Sequence, residues 1–261
     1  MDIVLLALFL LRGGVTGVRA GFFGIGGGMV IVPAMLVAGY GYDSAVGISI
    51  LQMACSSVVG SVANFKKGLL DLSVGFWVGL GGLIGAGFSG VILTHIPHKI
   101  LLGLFILMTF YSLLRFFLKS KKSKEANKQT KAFVMNLKNK CILVAIGALT
   151  GIFAISLGIG GGVLMVSLLS YYLGLSPKQS VPLSLFFVVF SSISGVASLY
   201  QSHILEWQHL QWGLLVGAGS VLGVLVGVKL VTKVSAQLHH YLLISTYALA
   251  LAVSIYKWIL T

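Results

Sequence analysis

The sequence predicts an all-α integral membrane protein, built as an inverted repeat of two five-segment halves. Three observations carry this expectation. Of 261 residues, 57% are hydrophobic and 9% charged, whereas an average soluble domain is about a quarter charged. The apolar runs are continuous and about as long as the ~20 residues that cross a bilayer core, without the alternation of a membrane barrel strand. The third observation is a self-similarity in which glycine, serine and tryptophan positions recur at offsets of 134 and 135 residues.

Taken in order, the first apolar stretch is Ile3 to Phe23. It follows Met1-Asp2, lacks the basic n-region of a cleaved signal and is expected to stay as a membrane anchor. Next comes a shorter apolar piece, Met29 to Tyr40, then long stretches at Ser44 to Phe65, Leu72 to Leu93 and His98 to Leu118. The pattern returns as Cys141 to Leu157, a short piece at Val163 to Gly174, and Gln179 to Tyr200, Trp207 to Val228 and Ala236 to Trp258. At about 1.5 Å per residue the two short pieces reach only part of the way across a core of roughly 30 Å. The expectation is therefore eight long transmembrane helices plus two short ones. Residues 1–118 form the first repeat, 119–140 a basic linker and 141–261 the second repeat.

The repeat is explicit at the residue level, and such self-similarity precedes any fold assignment. Thr16-Gly17 matches Thr150-Gly151, and Gly24-Ile25-Gly26-Gly27-Gly28 matches Gly158-Ile159-Gly160-Gly161-Gly162 at an offset of 134. One inserted residue later, Ser49 pairs with Ser184, Ser56-Ser57 with Ser191-Ser192, Gly60 with Gly195, Asp71 with Glu206, Trp77 with Trp212 and Gly82 with Gly217.

The net charge of +13 does not imply nucleic acid, because eight of the eighteen Lys and Arg residues lie between Lys119 and Lys140 beside a single acid, Glu125. Such a run reads as a cytoplasmic loop facing anionic lipid. With five crossings per half, Lys66, Lys67, Lys178, Lys229 and Lys233 also fall inside, leaving only Lys99 and Lys257 near the outer face. Four crossings per half would move Lys178, Lys229 and Lys233 outside, so the positive-inside rule favours five. An odd number makes the halves inverted copies, an arrangement of many secondary transporters. Both chain ends are then expected outside, with the protein multi-pass in an inner (plasma) membrane.

The doubled Gly-Ile-Gly-Gly-Gly is the strongest candidate site. Each helical glycine costs about 1 kcal/mol relative to alanine, so helices should break there. Non-helical backbone at membrane depth belongs where it is buried in protein or lines a cavity. The helix start that follows offers free amides and a positive dipole end. Gly24, Gly26, Gly27 and Gly28, with Gly158, Gly160, Gly161 and Gly162, are thus candidates to hold one small anion near the midplane. The alternative is close helix packing, the reading preferred for Gly75 with Gly79, Gly81 with Gly85, and Gly219, Gly223 and Gly227, which are spaced by four.

Ser49, Gln52 and Ser56 share one helical face, and Ser184 and Ser191 repeat the serines. They are candidates to replace an anion's hydration shell; equally, such serines bond back to their own helix or join neighbouring helices. Arg19 lies near the first break and on the same face as Arg12; it either supplies a counter-charge or snorkels to the cytoplasmic surface. The repeat carries Ile146 and Phe153 there, so an arginine role would be asymmetric. Asp71 and Glu206 read as first-turn acids, with proton coupling as the alternative. Cys55 reads as a small apolar filler, with contact to a sulfur substrate as the alternative.

Enzyme chemistry finds no support. Cys55 and Cys141 lack metal-site spacing, no His-Glu-x-x-His occurs, and the glycine runs lack a dinucleotide site's strand context. Gly87-Phe88-Ser89-Gly90 resembles a rhomboid protease serine motif, but His239 and His240 start a helix at the opposite end, and a nucleophile needs its base within hydrogen-bond reach. No cofactor is expected.

The duplicated glycine breaks after Thr-Gly, and the continuation Met29-Val30-Ile31-Val32-Pro33, resemble the TauE/SafE family of membrane permeases over essentially the whole chain. The resemblance implies a secondary transporter, expected to be an exporter, with uptake as the other direction, of small inorganic or organic sulfur anions such as sulfite or organosulfonates, driven by an ion gradient, with a proton as the expected coupling ion. A homo-oligomer is allowed. The second half departs from the pattern, with Ser167 where Pro33 sits in the first. Outside transport by alternating access, the remaining readings are an anion channel, a membrane scaffold or an intramembrane hydrolase.

Overall fold

The computed structural model describes residues 3–23, 27–120, 135–173 and 177–260. Among them are eleven α-helices and no strand: α1 (Ile3–Phe23), α2 (Gly28–Val37), α3 (Tyr42–Lys66), α4 (Leu72–Ala86), α5 (Ser89–His95), α6 (His98–Ser120), α7 (Leu137–Ser156), α8 (Gly162–Tyr172), α9 (Pro177–Gln201), α10 (Trp207–Lys233) and α11 (Ala236–Leu260). Five spans among the described residues are long and apolar enough to cross a membrane: α3, α4 with α5, α7, most of α9 and most of α10. The apolar parts of α6 and α11 that count are shorter, His98–Leu114 and Ile244–Leu260, and α2 is shorter still.

Both short helices follow the glycine runs. Gly27 caps α2 in the left-handed conformation, at φ 87°, a region that glycine enters without a Cβ clash. At the second run, the Gly158 N–H reaches Ile155 O at 2.9 Å and the Ile159 N–H reaches Ala154 O at 3.0 Å, with Gly158 at φ 64°. That is a Schellman ending for α7, and it satisfies carbonyls a helix end would otherwise leave bare.

One expected helix, Leu72 to Leu93, is divided instead at Gly87-Phe88 into α4 and α5. The cause lies on α9. Ser194 Oγ donates to Leu83 O at 2.6 Å, Ser198 Oγ donates to Gly87 O at 2.7 Å, and the Gly90 N–H donates to Ser198 Oγ at 2.9 Å. These hydroxyls intrude on the backbone ladder, and intrusion of that kind bends helices.

The packing falls into two sets of aligned helices. Along α1 and α10, Gly17 lies against Ser220, Gly21 against Val224, and Gly227 against Val18, so the two run parallel with backbones in contact. α3 runs the same way, with Gly47 near Leu205, Cys55 near Gly217 and Lys67 Nζ donating to Val228 O at 3.1 Å. In the second set, Gly81 and Gly85 lie on the backbone of α7 near Ala148, while Gly75 and Gly79 face Phe186 and Phe190 of α9. α4, α7 and α9 therefore share a direction. It is opposite to that of α3, since Gly60, late in α3, meets Leu185, early in α9, and Tyr42, at the start of α3, meets Leu157, at the end of α7. The glycine seams α1–α10 and α4–α7 are what small-residue packing in a bilayer requires, because backbones approach only where side chains are absent.

Candidate functional site

The two glycine runs meet at the centre of the packed helices, on the buried face of α3. Gly28 sits so close to Gly158 that a Cβ on it would fall onto the Gly158 carbonyl oxygen, and it would lie 2.7 Å from Ser49 Oγ. Ser49, fully buried, donates to that same carbonyl at 3.0 Å. One turn on, the Gln52 amide lies under Gly27, where a Cβ would stand 2.9 Å from Oε1 and 3.0 Å from Nε2. Gln52 Nε2 donates to Ser56 Oγ at 3.2 Å, and Ser56 in turn donates to Met53 O at 3.3 Å. Gln52 Oε1 is buried and has no hydrogen-bond partner among the described residues. A buried unpaired amide oxygen costs about 1–3 kcal/mol, so the packing here is left polar and incompletely satisfied beside the start of α2.

The structure thus joins Gly27, Gly28, Ser49, Gln52, Ser56 and Gly158 into one cluster. Gly160, at φ 80°, Gly161 and Gly162 lead into α8, and Gly161 faces the Phe187 ring. Ser184 is fully buried and bonded, whereas Ser191 donates back to Val188 O of its own helix at 3.4 Å. Gly24 and Gly26 lie outside the described residues. Arg19 is half-buried and lines a recess about the size of a water molecule with Phe23, Gly27, Met29, Val30 and Thr246. Arg19 thus lies beside the first break, in a recess lined by apolar surface.

Sequence reasoning did not single out Phe187, Val46 or Tyr42. Phe187 stands 135 residues after Gln52 and does under Gly161 what Gln52 does under Gly27. The offset was the signal that could have found it. Val46 packs on Gly158, and Tyr42 Oη donates to Leu157 O at 3.5 Å, so the start of α3 braces the second break. Asp71 and Glu206 are N-caps of α4 and α10; Asp71 Oδ1 accepts from the Ser73 and Val74 amides at 2.9 and 3.3 Å. Cys55 is half-buried against Gly217, and among the described residues no group of His, Cys, Asp and Glu has the geometry of a metal site.

Comparison with known proteins identifies relatives of the chain. Residues 9–255 match the family model described as Sulfite exporter TauE/SafE. "Probable membrane transporter protein YunE" of Bacillus subtilis (strain 168) is 27% identical over 262 residues, covering 91% of this chain and 94% of the relative. "Probable membrane transporter protein YdhB" of the same organism is 25% identical over 232 residues, covering 87% and 89%. "Probable membrane transporter protein MJ0441" of Methanocaldococcus jannaschii is 25% identical, covering 75% and 73%. No solved structure matches the chain. A family match spanning nearly every helix, together with relatives matched along most of their length, means that this chain belongs to the sulfite exporter TauE/SafE family.

Proposed function

We propose that the protein is a secondary transporter of small sulfur-containing anions such as sulfite or organosulfonates, working by alternating access in the inner membrane with its lysine-rich linker in the cytoplasm. The observation that carries the reading is the meeting of the two breaks: Ser49 of the first half holds the Gly158 carbonyl of the second, directly against Gly28. A site shared between two halves closes or opens when one half rocks against the other. The amides that start α2 and α8, the Gln52 amide and Arg19 supply polar groups suited to an oxyanion.

An inverted repeat of eight long helices and two short ones is supported by the pairings. The seam α1–α10 has its counterpart in α7–α4, and α3–α10 in α9–α4, with the corresponding helices α3 and α9 running oppositely. Lys66, Lys67 and Lys233 then share an end with the start of α7, in accord with the positive-inside rule.

Flux of radiolabelled sulfite and thiosulfate into proteoliposomes, with and without a pH gradient and against chloride and sulfate controls, tests the reading. Saturable flux that follows the gradient is expected. Flux indifferent to the gradient would indicate a channel, and no flux of any sulfur anion would remove the substrate class. Leucine at both Gly27 and Gly161 should abolish transport with membrane insertion intact; normal transport in that variant would refute the shared site.

A further inference from the structure

A second polar cluster lies away from the glycine breaks, where α3, α6 and α10 all begin. His98 Nε2 of α6 pairs with Asp43 Oδ2 of α3 at 3.0 Å, and the His98 ring stacks on Tyr42 with centroids 6.2 Å apart. Ser44 Oγ lies 2.9 Å from His209 Nε2 of α10. The Glu206 N–H donates to His209 Nδ1 at 3.3 Å, so the proton of a neutral His209 sits on Nε2 and points to Ser44. The second carboxylate oxygen of Asp43 is buried and has no hydrogen-bond partner among the described residues.

Nothing in the anion site needs these groups, yet they are tied to it. Tyr42, which stacks on His98, donates to Leu157 beside the second break, and Val46, one turn below Asp43, packs on Gly158. We propose that Asp43 and His98 form a proton-operated latch: with His98 protonated, the ion pair holds α6 onto the start of α3 and closes the path to the second break. Loss of that proton releases it. The sign follows from the pair, since an imidazolium attracts the carboxylate and a neutral imidazole offers only a hydrogen bond. Imidazoles change charge between about pH 5 and 8, so the latch is closed on the acid side and open on the alkaline side.

The other ionisable groups near the pair have separate engagements. His209 accepts the Glu206 N–H at Nδ1 and acts as a positioning residue, while Glu206 caps α10. Lys99 lies over the Trp258 ring at 5.5 Å, and His95 Nδ1 lies 2.9 Å from both Thr94 Oγ1 and Val91 O. That the latch faces outside rests on the proposed transport topology; that it responds to protons does not.

The test uses the full-length protein in detergent, with Cys55 and Cys141 replaced by serine. Val46→Cys is a fully buried reporter at the second break, and Gly41→Cys is an exposed control with open space around it. The ratio of their maleimide labelling rates cancels the pH dependence of the thiol itself. From pH 5.5 to 8 the ratio is expected to rise about tenfold, the change that one unit of linked pKa produces. In Asp43→Asn and in His98→Gln it should be high at both pH values. A flat ratio in the parent, or a pH response that survives both substitutions, would overturn the latch. Neither outcome depends on whether a sulfur anion is carried, so a failed latch and a failed substrate class remain distinguishable.

Discussion

At the residue scale, the centre of the molecule is decided by a few atoms. Ser49 satisfies the Gly158 carbonyl, and removing its hydroxyl leaves a buried acceptor unpaired at about 1–3 kcal/mol. Ser49→Ala is therefore expected to lower Tm in detergent, whereas Gly41→Ala, where a Cβ meets open space, should leave it unchanged. Gln52 has the opposite balance. Its Oε1 is buried and has no partner among the described residues, so Gln52→Met, close in volume, should hold or raise Tm while reducing flux in proteoliposomes. A variant that lost stability and kept full flux would assign Gln52 to packing instead of transport. The unequal pair Gln52 and Phe187, each beneath a glycine of its own half, makes the site chemically one-sided despite the repeat.

At the element scale, helix starts and stops were largely legible. Gly158 ends α7 and Gly27 starts α2, both at positive φ, and four-residue glycine spacings became the seams between α1 and α10 and between α4 and α7. The division of α4 from α5 was not legible. It depends on Ser194 and Ser198, over a hundred residues away, whose hydroxyls reach Leu83 and Gly87. Ser191, read as the equivalent of Ser56, turns to its own backbone instead. Sequence periodicity places a serine on a face but cannot say whether a neighbouring carbonyl is free to receive it. Ser198→Ala should loosen the α5–α9 contact, seen as faster amide exchange over residues 89–95. Gly85→Val, forcing a side chain onto the Ala148 carbonyl, should prevent recovery of monodisperse protein.

At the scale of the whole molecule, direction is the quantity that matters. α1 and α3 run parallel with the ten-residue α2 between them, so the chain reverses direction along the segment that holds α2. The charge pattern favours the same reversal from the sequence alone, because with it Lys66, Lys67, Lys229 and Lys233 gather at one end. Contacts between distant segments agree. Lys140 Nζ lies 5.0 Å from the Trp77 ring centre, joining the starts of α7 and α4, while Lys99 lies over Trp258 at the other end. Single cysteines at Lys99 and Lys257 should accordingly react with an impermeant maleimide applied to intact cells, and single cysteines at Lys66 and Lys233 only after permeabilisation. Should Lys99 and Lys66 label from the same side, α4 and α5 could not cross together, and two halves rocking about a shared break would lose their geometric basis.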